Sequence, residues 1–374
     1  MSDNLLIIAA SETDSNLYYA SRFLAPDAFI YLAIQGRSYL LMSDLEVDRA
    51  RAQSRVDDVL SYADLRERTK ARGVQKPHEG DVIYTFLADH GVFDLTVPDN
   101  FPLAQADALR ALGVTLSVKE EPFFAERAIK SDVEVAAIRA AQVAVEEALE
   151  EVMQTLRAAT IRDGGIYSEG VPLSSESVRR MLHLSLMAKG CVGQHTIVAC
   201  GVDACDPHNV GSGPLRANEA IIFDIFPKSS ETRYFADMSR TVVKGRASDG
   251  LKRLYDTVLV GQELGISRVK NGASGKAIHE EIEALFESRG YKTGKANGRM
   301  QGFFHGTGHG VGLDIHEPPR ISKSDWTLTT GEVVTVEPGL YYPDIGAVRI
   351  EDMVWVRDDG CQNLTTYPKA LEIP

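Results

Sequence analysis

Apolar residues follow two different spacings along this chain, and the spacings predict its elements. Over residues 1–125, short apolar runs alternate with stretches of helical spacing, which predicts a small α/β domain. Leu5–Ala10 reads as a strand, and Ala28–Ile34 and Ser38–Met42 read as the arms of a hairpin turning at Gln35-Gly36-Arg37. Val82–Leu87 reads as a further strand, and Leu103–Leu112, directly after Pro102, as a helix. From Ala125 to Ala158, Val133, Val135, Ile138, Ala141, Val145 and Leu149 recur with a period of about 3.6 residues, which predicts a long helix capped at Ser131-Asp132. Helices are also predicted over Ser174–Lys189, Gly250–Lys270 and Gly275–Gly290, the last with Ile278, Ile282, Leu285 and Phe286 on one face.

Composition excludes several classes of function. The chain is 44% hydrophobic and 25% charged, as an ordinary globular protein is. A net charge of −13 with no dense Lys/Arg run argues against nucleic acid as a partner. No apolar stretch approaches the ~20 residues of a membrane span. The leading residues place an acid, not a basic region, before a short apolar run, unlike a signal peptide. Cys191, Cys200, Cys205 and Cys361 show neither CxxC nor zinc-finger spacing, and read as reduced, mostly buried thiols of a cytoplasmic protein.

The second half carries carboxylates inside short β-branched runs. Asp224 lies in Ala220-Ile221-Ile222-Phe223-Asp224-Ile225-Phe226, Glu337 closes Val333-Val334-Thr335-Val336, and Glu351 follows Ala347-Val348-Arg349-Ile350. Runs of this kind are buried strands, where an ionised carboxylate is very costly without a compensating charge. Three in separate strands need either one cation each or a shared centre. Arg349 is spaced to pair with Glu351, because positions two apart on a strand share a face, but it cannot serve all three.

The run His305-Gly306-Thr307-Gly308-His309-Gly310-Val311-Gly312-Leu313-Asp314-Ile315-His316-Glu317 holds three of the nine histidines. His305 and His309 have the spacing of a zinc-binding helix, yet Gly306 stands where that motif requires glutamate, and the glycines disfavour a helix. A phosphate-binding glycine loop is also unsupported, since no GxxxxGK[ST] occurs. The glycines instead predict a backbone in close approach to a neighbour. His208, after Pro207, taken alone reads as a surface histidine in a loop.

The ordered segments IIFDIF around Asp224, FADMSRT around Asp237, HGTGHGVGLDIHE around His309, VTVEPGLYY around Glu337 and AVRIEDMV around Glu351 resemble the pita-bread-fold metallopeptidases. That family includes methionine aminopeptidase, prolidase, Xaa-Pro aminopeptidase and creatinase, and AIKSDVEVAAIRAA resembles the helix opening its catalytic domain. The resemblance implies an α+β chain, with a pita-bread catalytic domain over residues 126–374 after a smaller α/β creatinase-like domain over residues 1–125. It implies that Asp224, Asp237, His309, Glu337 and Glu351 ligate two divalent metal ions, with Asp237 and Glu351 bridging. Four carboxylates balance two divalent charges, and an oxygen-rich set suits Mn²⁺, with Co²⁺ or Zn²⁺ as alternatives. His208 and His316 match histidines that contact substrate or the tetrahedral intermediate, and Glu337 is the expected proton shuttle. His305 and Arg349 match residues near the substrate pocket of the proline-specific branch.

The wording of HGTGHGVGLDIHE and RIED, with a domain preceding the catalytic half, resembles that branch most. It implies a metallo-exopeptidase acting on small peptides with proline in second position, as an Xaa-Pro aminopeptidase or Xaa-Pro dipeptidase, and a homodimer. The alternatives are a non-proline-specific aminopeptidase of the family and a non-catalytic peptide-binding module on its fold. Two departures stand out. Phe226 occupies a family glycine position, and the interval from Asp224 to Asp237 is longer than in the family, which predicts a longer, polar, exposed hairpin loop through Pro227–Arg233.

Overall fold

In a computed structural model describing residues 4–373, the apolar runs of the first half pair into one mixed sheet. Met1–Asp3, on which the reading of the leading residues partly rests, and Pro374 lie outside the described residues. The chain divides into two compact units, Met1–Ala125 and Glu126–Pro374.

In the first unit six strands lie in the order Asp58–Ser61, Arg37–Met42, Phe29–Ile34, Leu5–Ala9, Asp94–Pro98, Thr115–Lys119. Side-chain alternation gives this sheet two apolar faces. Leu6 and Ile8 join Ile30, Leu32, Phe86 and Leu109 on one side, while Ile7 joins Leu17, Phe23, Tyr31 and Phe123 on the other. The segment read as a strand at Val82–Leu87 is instead part of a helix, Glu79–His90. Val82, Ile83, Phe86 and Leu87 bury one helical face. The His78/Asp81 capping box and Gly91, left-handed at φ 65°, mark its two ends.

In the second unit the long helix runs Asp132–Ala158, with Ser131 and Glu134 forming a capping box at its start. Its other long helices are Ser175–Ala188, Asp249–Arg268 and Gly275–Ser288. Two sheets carry the site. One orders Ile197–Cys200, Ile221–Ile225, Met238–Lys244 and Glu372–Ile373; the other orders Glu317–Ile321, Gly308–Gly310, Val333–Val336, Asp352–Arg357 and Gly360–Asn363. Leu254, Val258, Ile278, Ile282 and Phe286 of the last two helices share a core with Val334, Val336, Val354 and Val356 of the five-stranded sheet.

The hairpin loop after Asp224 is less exposed than its composition suggests; within Pro227–Arg233 only Ser230 and Glu231 are exposed, and the rest are half-buried or buried. Its backbone is used. Lys228 and Ser229 pair with Val192 and Cys191, Ser230 N–H donates to the Gly190 carbonyl, and Phe235 N–H donates to the Gly312 carbonyl. Tyr234, 5% exposed, reaches the Glu134 carboxylate with its hydroxyl.

Candidate active site

Strand register brings the aspartates together. Ile225 pairs with Met238 and Asp224 with Ser239, so Asp224, Ser239 and Asp237 emerge on one face at one end of the hairpin. His309 lies on Gly308–Gly310, and its N–H donates to Thr335 Oγ1 at 3.1 Å. Thr335 Oγ1 in turn donates to Glu337 Oε1 at 3.3 Å, and Glu337 N–H donates to the Thr307 carbonyl at 2.7 Å. The glycines beside His309 serve this packing. A Cβ on Gly308 would sit 1.9 Å from the Thr335 carbonyl oxygen, and one on Gly310 2.2 Å from that of Pro318. The close approach predicted for this run is therefore to neighbouring strands.

Asp224, Asp237, His309, Glu337, Glu351, His208, His316, His305 and Arg349 all line one cavity of about 740 Å³. Asp237, His309 and Glu351 each offer an atom within 4.8 Å of the others'. His309 Nδ1 lies 3.2 Å from the Gly310 carbonyl oxygen, which can only accept, so Nδ1 carries hydrogen. Its Nε2 then faces Glu337 Oε1 at 3.3 Å and Asp237 Oδ2 at 3.6 Å. A neutral imidazole would aim a lone pair at two carboxylates there, so a proton or a metal ion must lie between them.

Further observations favour a metal. Asp237 Oδ1 and Glu351 Oε1 are buried without a hydrogen-bond partner among the described residues, which is costly for any carboxylate. Burial and then Glu351 push the Asp237 carboxyl well above its usual range; burial and then Glu337 do the same to Glu351. Burial also raises Asp224, opposed by Arg349. For Glu337, burial pushes upward, but the hydrogen bond from His309 together with the electrostatic pull of His309, His305 and Arg349 holds it down at about 2. Carboxylate oxygens with one imidazole nitrogen are the donor set of hard or borderline divalent ions, and the residues fit such a group.

Arg349 does not pair with Glu351. The strand Gly346–Arg349 ends before Ile350 and the next begins at Asp352, so Glu351 lies between strands and the two side chains do not share one. Arg349 Nη2 instead donates to Asp224 Oδ2 at 2.6 Å, and Nε to Ser239 Oγ at 3.0 Å. Ser239 Oγ donates to Glu351 Oε2 at 2.8 Å. Arg349 Nη1 donates to Tyr341 Oη at 3.0 Å, and Tyr341 Oη lies 2.9 Å from His305 Nε2. With His305 Nδ1 2.8 Å from the Gly306 carbonyl, the Tyr341 hydroxyl must donate to Nε2, and His305 is neutral.

Burial lowers the His305 pKa from 6.5 to about 4. The unfolded chain therefore takes up a proton before the folded one, and stability complete above about 6.5 is lost as pH falls toward about 4. Metal-free His305→Gln should lose less stability than wild type between pH 7 and pH 5 in urea titrations. Equal losses in both proteins would refute the neutral, buried assignment.

Several residues of the site are not legible in the sequence. Ser239, Thr335 and Tyr341 hydrogen-bond to the lining side chains from behind, but they are hydroxyl residues in strands, where nothing distinguishes them. His195, at φ 57°, and Arg320 also line the cavity. Arg320 stands opposite His309 in the strand register, an alternation that becomes readable only once the strands are paired.

Residues 136–358 match the model of metallopeptidase family M24. The chain is 27% identical to the Xaa-Pro dipeptidase of Pyrococcus horikoshii over 95% of its own length and 92% of the relative's. It is 34% identical to the uncharacterized peptidase YqhT of Bacillus subtilis, over 47% of this chain and 48% of that one. The crystal structure of the X-Pro aminopeptidase from Thermotoga maritima superposes with a TM-score of 0.82 at 24% identity, covering 99% of this chain and 97% of the other. The expected fold, a mixed α/β chain of pita-bread architecture, is borne out.

Proposed function

Because the chain belongs to metallopeptidase family M24, we propose that it hydrolyses the bond before proline at the N-terminus of small peptides, with two divalent metal ions held by Asp224, Asp237, His309, Glu337 and Glu351. The observation that carries this reading is the pair of partnerless buried carboxylate oxygens, on Asp237 and Glu351, in a cavity that also holds His208, His305 and His316. When bound, such ions would lower the pKa of a coordinated water and polarise the scissile carbonyl. The reading includes Mn²⁺ as the metal, a cytoplasmic homodimer, and a creatinase-like identity for residues 1–125. Four free thiols suit a reducing compartment, and no described helix is long and apolar enough to cross a membrane.

The side chains divide the remaining work. Glu337 takes the proton from the attacking water and passes it to the leaving nitrogen. Part of what lowers its proton affinity against burial is the His309 hydrogen bond, which an imidazole engaged by an ion would no longer donate. Burial lowers the His316 pKa to about 4, so this ring is neutral near pH 7 and donates a hydrogen bond rather than a charge. With His208 it orients the peptide or stabilises the developing oxyanion. A prolyl nitrogen has no hydrogen to donate, so the ring must be recognised by shape. Ile197, Val210, Phe226, Phe304 and Ile315 supply apolar wall for it.

One observation favours dipeptides. Arg320 lines the cavity with no ion-pair partner among the described residues, and so can receive a terminal carboxylate. Arg320→Met should raise KM for an Xaa-Pro dipeptide by about 10- to 100-fold, the worth of a charged hydrogen bond of ~1.5–3 kcal/mol. KM for the dipeptide amide should hardly change; an equal rise for both assigns Arg320 no carboxylate.

The overall test is hydrolysis of an Xaa-Pro dipeptide and an Xaa-Pro-Xaa tripeptide by metal-stripped protein restored with Mn²⁺, Co²⁺ or Zn²⁺. Cleavage of the dipeptide alone marks a dipeptidase, and cleavage of the tripeptide marks an aminopeptidase P. If neither is cut while metal is bound, the reading fails in favour of a non-proline aminopeptidase or a peptide-binding module.

A further inference from the structure

The loop that carries His316 is tethered by a set of charges that includes none of the metal-site carboxylates. Glu317, 6% exposed, accepts from Lys130 Nζ at 2.6 Å through Oε1 and from Arg127 Nη2 at 2.9 Å through Oε2. The side chains of Lys130 and Arg127 are 1% and 9% exposed. Arg127 Nη2 also reaches Asp314 Oδ2 at 2.7 Å, and Asp314 N–H donates to Glu317 Oε2 at 3.4 Å. Two cations thus meet two carboxylates in a neutral quartet, buried except at Asp314, whose side chain is 49% exposed. Lys130 is itself fixed, its N–H donating to the Gly331 carbonyl and its Nζ to the Ala128 carbonyl.

The loop is closed on itself by the same carboxylate. A Cβ on Gly312 would lie 2.2 Å from Glu317 Oε1, so the chain passes against that carboxylate at both Gly312 and Asp314. Between them and Glu317, Ile315 and His316 line the cavity. The His316 ring stands edge-on to His309, centroids 4.4 Å apart, and makes no hydrogen bond of its own among the described residues. Its position is therefore set by its backbone. We propose that Glu317, held by Arg127 and Lys130, is a positioning residue for His316. The proposal rests on the reading of His316 as a substrate-contacting group.

Exposed ion pairs contribute little, and a buried quartet with only a stabilising role would leave turnover unchanged in a folded variant. The two roles separate in a double-mutant cycle. In the metal-loaded full chain, Glu317→Gln should lower kcat on an Xaa-Pro dipeptide about 10- to 100-fold, the cost of a misplaced contact, with bound metal unchanged. In the His316→Ala background the same change should lower kcat no further. Equal fold losses in both backgrounds overturn the proposal. Should Glu317→Gln not fold, the double variant Lys130→Met/Glu317→Gln, which removes a charge of each sign, is read in the same cycle.

If the wild type cuts no Xaa-Pro peptide, the functional reading fails and the tether is still tested. In metal-free protein with labelled histidine, the His316 ring resonance is the one lost in His316→Ala. It should shift and broaden in the Glu317→Gln or double variant while the histidine resonances other than that of His309, whose ring packs on that of His316, hold. A His316 resonance that stays in place in a folded variant overturns the proposal.

Discussion

Glu351→Gln should abolish peptide hydrolysis and yet make the metal-free protein more stable than wild type. Glu351 is 1% exposed, and its Oε1 has no hydrogen-bond partner among the described residues. Burial and then the charges of Glu337 and Asp224 raise its carboxyl well above the usual range. A carboxyl whose folded pKa is raised opposes folding once pH exceeds its unfolded value, and the penalty is relieved as pH falls through the folded value. An amide carries no such penalty. The gain should be about 1–3 kcal/mol, the size of a buried polar group left unsatisfied, and larger at pH 8 than at pH 5. Adding Mn²⁺ at a hundred times its Kd should stabilise the wild type by about 2.7 kcal/mol and the variant hardly at all. Thermal melts with and without Mn²⁺, alongside measured metal content, decide the matter. A variant that is destabilised when metal-free, or that still gains stability from Mn²⁺, would show that Glu351 is no part of a metal site.

The second large effect is kinetic. Glu337→Gln should reduce kcat by about 10²- to 10⁴-fold, the usual contribution of a positioned proton carrier, with much less change in KM. The Glu337 backbone is fixed by the Thr307 carbonyl and its side chain by Thr335 Oγ1. A glutamine can keep both contacts, so the substitution removes proton transfer with little displacement. Asp237, His309 and Glu351 remain, and the variant should still be stabilised by Mn²⁺. Wild-type turnover in a metal-stabilised variant would remove Glu337 from the proton path.

How much of this was readable in advance depended on whether a residue broke a local rule. Asp224, Glu337 and Glu351 were conspicuous because charge does not belong among Ile and Val in strands, and His309 because its glycines fit neither a zinc helix nor a phosphate loop. All of them line one cavity. Ser239 and Thr335 break no rule, yet one supports Arg349 and Glu351 and the other supports His309 and Glu337. Arg349 failed in a different way. Pairing along a strand can be read from spacing, but its partner Asp224 lies 125 residues away, and only the paired strands bring them together. In the first unit, Val82–Leu87 was misread because four closely spaced apolar residues suit a buried strand as well as a helix, and the caps that decide between them lie outside the run.

The hairpin between the two aspartates has a consequence for design. Their separation is set by the pairing of Ile225 with Met238, beneath the loop, and not by the number of residues in the loop itself. Residues 226–236 can therefore be treated as an exchangeable cassette. It is secured by its pairing with Cys191-Val192, by Tyr234 on Glu134 and by Phe235 on Gly312, and it brings Phe226 to the cavity wall. Grafting cassettes of other lengths onto those anchors offers a way to retune substrate selectivity while leaving the carboxylates where the sheet puts them.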